Sequence, residues 1–186
     1  MAKMKYNPEK HHRRTIRLQG YDYSQAGAYF VTICTQNRKC LFGEIVNGEM
    51  ILNDAGRMVT KWYHEIKNKF PDVKHDEFIC MPNHIHFIVI NDGGVIGTDL
   101  RVCPDQSGEH ADQFDEHAGS PLYRVVQWFK TMTTNEYIRG VKQNKWLPFN
   151  KKLWQRNYYE HIIRNENELN RIRNYIINNP HNWKND

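Results

Sequence analysis

The run from Phe78 to Ile90 constrains this chain more than any other stretch. Two β-rich halves meet at Pro82 and Asn83, a turn signal between antiparallel strands. Proline cannot donate to a ladder, so it belongs at a strand boundary. In the second half the side chains alternate with period two. His84, His86, Ile88 and Ile90 therefore share one face, and Ile85, Phe87 and Val89 share the other. At a rise of about 3.3 Å per residue the two histidine Cα atoms lie roughly 6.6 Å apart, a spacing at which two imidazoles can lean on one cation. A pair of hydrogen-bonded core histidines would show the same pattern, so a metal site requires a further ligand from another element.

With 186 residues the chain has room for one domain with a proper core. Hydrophobic residues at 39% and aromatics at 12% make it globular, and a formal net charge of +5 with many aromatics suits a nucleic-acid partner. Cys34, Cys40, Cys80 and Cys103 form no C-x-x-C pair and no zinc-finger spacing. No apolar run reaches the ~18 residues of a membrane span, and charge stands where a signal peptide needs an apolar core. The expected address is a reducing cytoplasm, with nucleoid association when DNA is bound and no membrane partner.

Residues 1–19 form a basic arm, with Arg13, Arg14 and Arg17 among the groups placed to contact phosphate. The remainder, 20–186, reads as a single domain. Its first strand runs from Ala28 to Thr35, and Asn47-Gly48 signals a hairpin between Leu41–Val46 and Glu49–Leu52. A helix capped by Asn53 or Asp54 carries the stripe Ala55, Met58, Val59, Trp62, Tyr63, Ile66 and Phe70, which is core packing. Asp76–Met81 and His84–Ile90 then make the central hairpin.

Residues 91–119 are read as a flexible acidic loop. Ser120-Pro121 starts a second helix with Lys130 on it, and Gly140 is expected to end it. The stretch from Leu153 to Ile163, with Trp154, Arg156, Tyr158 and Tyr159, reads as a further strand. Asn165 to Glu168 opens a C-terminal helix whose buried line is Leu169, Ile172 and Ile176, and Asn179-Pro180 ends it. The order of elements predicts an α+β fold, a ferredoxin-like or RRM-like α/β plait whose mainly antiparallel sheet carries packed helices.

Tyr175 and Asn179 are four apart and stack on one helix face. If that helix crosses the sheet at the histidine end, they meet His84 and His86. Two imidazoles and an amide oxygen can hold a divalent cation that polarises a phosphate, and the phenol can attack it. A tyrosine hydroxyl ordinarily titrates near pH 10, so only about one in a thousand is phenolate at pH 7 and the nucleophile needs such help.

Four blocks carry a resemblance across nearly the whole chain: Gly27 to Thr32, Met81 to His86, Trp154 to His161, and Tyr175 to Pro180. With them the chain resembles the single-tyrosine HUH transposases of the insertion-sequence-200 kind, especially their REP-associated tyrosine transposase branch. The resemblance implies that His84, His86 and Asn179 hold Mg2+ or Mn2+. It implies that Tyr175 cleaves single-stranded DNA near a hairpin, on repetitive extragenic palindromes, leaving a 5′-phosphotyrosine and a free 3′-hydroxyl. It also implies a monomer or a homodimer. Imidazole donors suit manganese better than magnesium, which favours oxygen.

Two other readings fit parts of the pattern. A non-catalytic single-stranded nucleic-acid-binding plait would stack bases on Trp154, Tyr158 and Tyr159 and track phosphates with the basic arm. For the transposase reading the candidate DNA contacts are Arg13, Arg14, Arg17, Lys130, Trp154, Arg156 and Tyr158. A zinc hydrolase would use His84 and His86 but lacks a clear carboxylate base. Tyr158 and Tyr159 are rival nucleophiles, and Glu160 and His161 are candidates for orienting a ligand.

Overall fold

The structure, a computed structural model, describes residues 26–91 and 120–183. The basic arm with Arg13, Arg14 and Arg17 lies outside the described residues, as does the acidic loop apart from Asn91. The described chain runs β1 (Gly27–Cys34), β2 (Gly43–Val46), β3 (Glu49–Leu52), α1 (Asp54–His64), the short turn α2 (Ile66–Lys69), β4 (Val73–Cys80) and β5 (His84–Asn91). It continues with α3 (Pro121–Asn144), β6 (Tyr159–Ile163) and α4 (Glu166–Ile177).

The three long helices each begin where a side chain satisfies a free backbone N–H. Asn53 Oδ1 accepts from Gly56 N at 2.9 Å, Ser120 Oγ from Tyr123 N at 3.3 Å, and Asn165 Oδ1 from Glu168 N at 2.9 Å. Asn47 and Gly48 both take positive φ, as the two-residue turn between β2 and β3 requires.

Four strands form one sheet in the order β4-β5-β1-β6, every neighbouring pair antiparallel. With the β2–β3 hairpin and α2 set aside as insertions, the order β-α-β-β-α-β is that of the expected plait. The alternation read from the sequence separates its two faces. Tyr29, Val31, Ile33, Ile85, Phe87 and Val89 join the main core beneath α1 and α3. Phe30 and Ile88 turn the other way and pack, with Ile163, against Leu169, Ile172 and Ile176 of α4. Each such side chain contributes about 1.5–3 kcal/mol on full burial, so this small second core suffices to dock α4 across the sheet. Arg173 adds a forked ion pair to β4, donating from Nε to Asp76 Oδ1 at 2.8 Å and from an Nη to Oδ2 at 2.6 Å. Among the described residues no helix is long and apolar enough to cross a membrane.

Several elements differ from the sequence reading, among them the first helix, which ends at His64 and leaves Ile66 to the separate turn α2. Strand β4 starts at Val73 rather than Asp76, and an irregularity between His75 and Phe78 breaks the alternation that would have marked its early residues. The strand expected from Leu153 covers only Tyr159–Ile163; Trp154 makes a lone bridge to Thr35. Between Thr32 of β1 and Thr35 the opposing segment from Trp154 to Tyr159 carries two extra residues, which breaks the ladder, and there the Lys130 ammonium donates to the carbonyls of Gln155 at 3.0 Å and Arg156 at 3.1 Å.

Gly140 does not end α3, which continues to Asn144. A Cβ there would stand 2.2 Å from Cε3 of Trp146, whose ring packs edge-on against Tyr137 with centroids 5.3 Å apart. The glycine admits that ring instead of breaking the helix. Gly140→Ala is therefore expected to destabilise the fold by about 1–3 kcal/mol despite alanine's better helix propensity. Thermal unfolding measures this, and an unchanged or raised Tm would contradict it.

Candidate active site

The site lies on the face of the sheet covered by α4, where β5 leaves its turn. His84 opens β5, and His86 follows on the same face opposite Thr32 of β1 and Ile79 of β4. Their Nε2 atoms converge to 3.0 Å. Each ring is held from behind: Asn83 Oδ1 lies 2.7 Å from His84 Nδ1, and Thr32 Oγ1 lies 2.8 Å from His86 Nδ1. Phe30 stacks on His86 with ring centroids 5.3 Å apart, and Trp183 stacks on His84 at 5.8 Å.

Burial disfavours the charged form of both imidazoles. The His84 pKa falls to about 4, through burial first and the Arg38 charge second, opposed by a hydrogen bond that the charged ring donates to the Asn179 side chain. The His86 pKa falls to about 3 through burial and the neighbouring His84. Both rings are neutral at pH 7, the form that ligates metals.

Helix α4 supplies the other half. Tyr175 lies one turn beyond the Leu169–Ile172 contact, 47% exposed, with its ring edge toward His86 at 5.3 Å and toward Phe30 at 6.0 Å between centroids. Asn179, buried past the end of α4, keeps helical dihedrals although Pro180 follows, and its side chain reaches His84. The i, i+4 spacing thus brings phenol and amide to the same pair of imidazoles. Among the described residues no third His, Cys, Asp or Glu joins them, and the Asn179 amide is the group from α4's end that reaches the pair. Two converging neutral nitrogens, each anchored through Nδ1, with one amide beside them, fit a divalent cation with positions left open for substrate.

Because α4 carries Tyr175 and leads directly into Asn179, its attachment governs the geometry. Asp76, held below the usual carboxylate range mainly by its hydrogen bond from Arg173, keeps this tie. A carboxyl depressed in the folded state stabilises above its unfolded pKa of about 3.9 and loses that contribution as pH falls through the lower folded value. Near neutrality the tie is therefore insensitive to pH. Asp76→Asn is expected to do at pH 7 what strong acid does to the wild type, lowering Tm and shifting the Tyr175 ring resonances. Unaltered Tyr175 resonances would show that the ion pair does not position the helix.

The other candidates are placed differently. Trp154, expected to stack bases, is instead core: its ring is 4% exposed, packs 5.2 Å from Phe42, and its Nε1 donates to Thr133 Oγ1 at 2.9 Å. Lys130 is buried, its pKa lowered by burial to about 8, and its ammonium serves the Gln155 and Arg156 carbonyls and lies 5.4 Å over the Tyr158 ring. It cannot at once track phosphates. Tyr158 is half-buried against the main core. Arg156 is exposed nearby.

Tyr159 pairs with Thr32 and so lies on the histidine face, its ring edge-on to Phe30, whereas Glu160 pairs with Val31 and turns to the opposite face. His161 bonds Glu168 at 2.8 Å rather than a site residue. Asn83, Thr32 and Trp183 were missed by the sequence reading. Asn83 was visible as a turn residue, but nothing in the sequence tied these three side chains to the rings.

No family model matches the sequence. The chain is similar to an uncharacterized protein of Haemophilus influenzae, with 41% identity and coverage of 98% of this chain and 96% of that one. Among solved structures it is similar to a REP-associated tyrosine transposase bound to a REP hairpin, with a TM-score of 0.55 and 18% identity over 88% of this chain and 72% of that one. A Deinococcus radiodurans structure overlays at a TM-score of 0.42, with 17% identity over 89% of this chain and 97% of the other. The overlay on the hairpin-bound protein shows a common α+β fold, including the C-terminal helix.

Proposed function

The chain belongs to one family with its Haemophilus influenzae relative, and we propose that it is a metal-dependent single-stranded DNA endonuclease and strand transferase. It would cleave near DNA hairpins, with repetitive extragenic palindromes as the class of substrate, and act as a monomer or homodimer. The observation that carries this reading is the Tyr175 ring standing 5.3 Å from the His86 ring, beside a converging imidazole pair.

His84, His86 and Asn179 would hold Mn2+ or Mg2+, which when bound supplies Lewis acidity to a phosphodiester. The phenol oxygen of Tyr175 attacks phosphorus and forms the phosphotyrosine ester. The phenol's proton passes to solvent, the bond from phosphorus to the 3′ oxygen breaks, and that oxygen takes a proton from solvent and leaves as a free 3′-hydroxyl. One phosphodiester is exchanged for another ester of similar energy, so a 3′-hydroxyl can reverse the step without ATP. Half-exposure of Tyr175 leaves a strand access to its hydroxyl, while burial of His86 against Phe30 holds the other side rigid. Outside the described residues, the basic arm with Arg13, Arg14 and Arg17 would add contacts with phosphate.

The test is a labelled hairpin with a single-stranded flank, incubated with protein and Mn2+ and run under denaturing conditions. A label that migrates with the protein after denaturation is expected. Retardation only in native gels would favour a binding plait, and cleavage with no attached label would favour a hydrolase.

A further inference from the structure

We propose that Asn83 and Thr32 prepare the histidine pair in two different ways: Asn83 locks His84 in one tautomer, and Thr32 lets His86 exchange tautomers when a cation arrives. This rests on the reading that the pair takes a divalent cation.

The argument starts from Asn83, which is buried and anchored through its own backbone carbonyl by Thr35 N at 2.9 Å and Thr35 Oγ1 at 3.0 Å. Its Nδ2 donates to the Arg38 carbonyl at 3.2 Å. A carbonyl accepts and never donates, so the amide cannot be turned over. Its oxygen must therefore be the atom 2.7 Å from His84 Nδ1. An oxygen acceptor there requires the proton on Nδ1, which leaves a lone pair on the Nε2 of neutral His84.

The consequence passes to His86. With His84 Nε2 as acceptor, the 3.0 Å contact between the two Nε2 atoms needs a proton on His86 Nε2. A neutral imidazole carries one N–H, so His86 Nδ1 is then an acceptor and the Thr32 hydroxyl, 2.8 Å away, donates to it. A shared cation needs lone pairs on both Nε2 atoms. His86 must then release its Nε2 proton to solvent and take one on Nδ1, with no change in net charge. The Thr32 hydroxyl can follow, because by rotating it turns from donor to acceptor. An amide locked as Asn83 is could not do this, and a hydroxyl in place of Asn83 would not lock His84. Both are positioning residues, acting through the rings they hold.

Long-range 1H–15N correlation spectra of the metal-free protein read the tautomers directly. His84 is expected to be protonated on Nδ1 and His86 on Nε2. Titration with Zn2+, a diamagnetic probe, is expected to move the His86 proton to Nδ1 and leave His84 unchanged. Asn83→Ala should shift His84 toward the Nε2-protonated form and weaken Zn2+ binding about 10- to 100-fold, whereas Asn83→Asp keeps an acceptor and the Nδ1 proton. Thr32→Val should weaken Zn2+ binding, and Thr32→Ser should restore it.

Metal-free His84 protonated on Nε2, a His86 tautomer unmoved by bound Zn2+, or an Asn83→Ala protein whose Zn2+ affinity stays within about twofold would each overturn the proposal. Absence of Zn2+ binding by the wild type would sink the cation reading and the exchange with it. The expected tautomers and Zn2+ response, without any covalent DNA product in Mn2+, would remove the transferase reading and leave these two roles standing.

Discussion

Tyr175→Phe is expected to eliminate the covalent protein–DNA product while leaving hairpin affinity within about twofold. The change removes one oxygen from a half-exposed ring whose carbon framework keeps its edge contacts with His86 and Phe30. The fold therefore has little to lose. The reaction loses its attacking atom, and the fall in strand cleavage should be at least about 10³-fold. Tyr158→Phe and Tyr159→Phe serve as controls. The first ring lies under the Lys130 ammonium against the main core, and the second lies on the histidine face with Phe30 as its ring neighbour. Both should still form the product. Its loss in Tyr159→Phe, with survival in Tyr175→Phe, would move the nucleophile to β6.

His84→Ala has the second large effect. It removes one of two nitrogens that converge to 3.0 Å and leaves His86 with no partner on that side. Mn2+ affinity, measured by the free-ion electron paramagnetic resonance signal, is expected to fall at least about 10²-fold, with product formation falling alongside. Affinity for the DNA hairpin in the absence of metal should change little, because that term depends on phosphate contacts. His84→Ala protein that still bound Mn2+ as the wild type does would place the cation elsewhere. The split between metal affinity and DNA affinity separates this from a folding defect, which would lower both.

The parts of the site that the sequence declared are those governed by short-range periodicity. Period two put His84 and His86 on one face, and the structure keeps them there together with Ile88. The i, i+4 relation put Tyr175 and Asn179 on one side of a helix, and the line of Leu169, Ile172 and Ile176 fixed which side faces the sheet. What stayed hidden depends on contacts between distant segments. Gly140 reads as a helix stop until Trp146 is seen filling the space beside it. Trp154 reads as a stacking platform because an aromatic near basic residues has the same local signature whether it faces solvent or, as here, Phe42 and Phe129. The supposed strand before Tyr159 fails because two extra residues between Trp154 and Tyr159 put it out of register with β1, and a lysine of α3 bonds the carbonyls there. Asn83 and Thr32 escaped for the same reason: their roles are set by which ring nitrogen each meets, 2.7 and 2.8 Å away.

Peptide mapping of the DNA-linked protein tests the central claim most directly, because it identifies the residue that attacks the phosphodiester beside the histidine pair. Trypsin separates the rival nucleophiles, releasing Tyr175 in fragment 174–184 and Tyr158 with Tyr159 in fragment 157–164. After reaction with the hairpin substrate and Mn2+, the nucleotide mass is expected on fragment 174–184, localised to Tyr175. Nucleotide on fragment 157–164, or DNA cut with neither fragment modified, would contradict it.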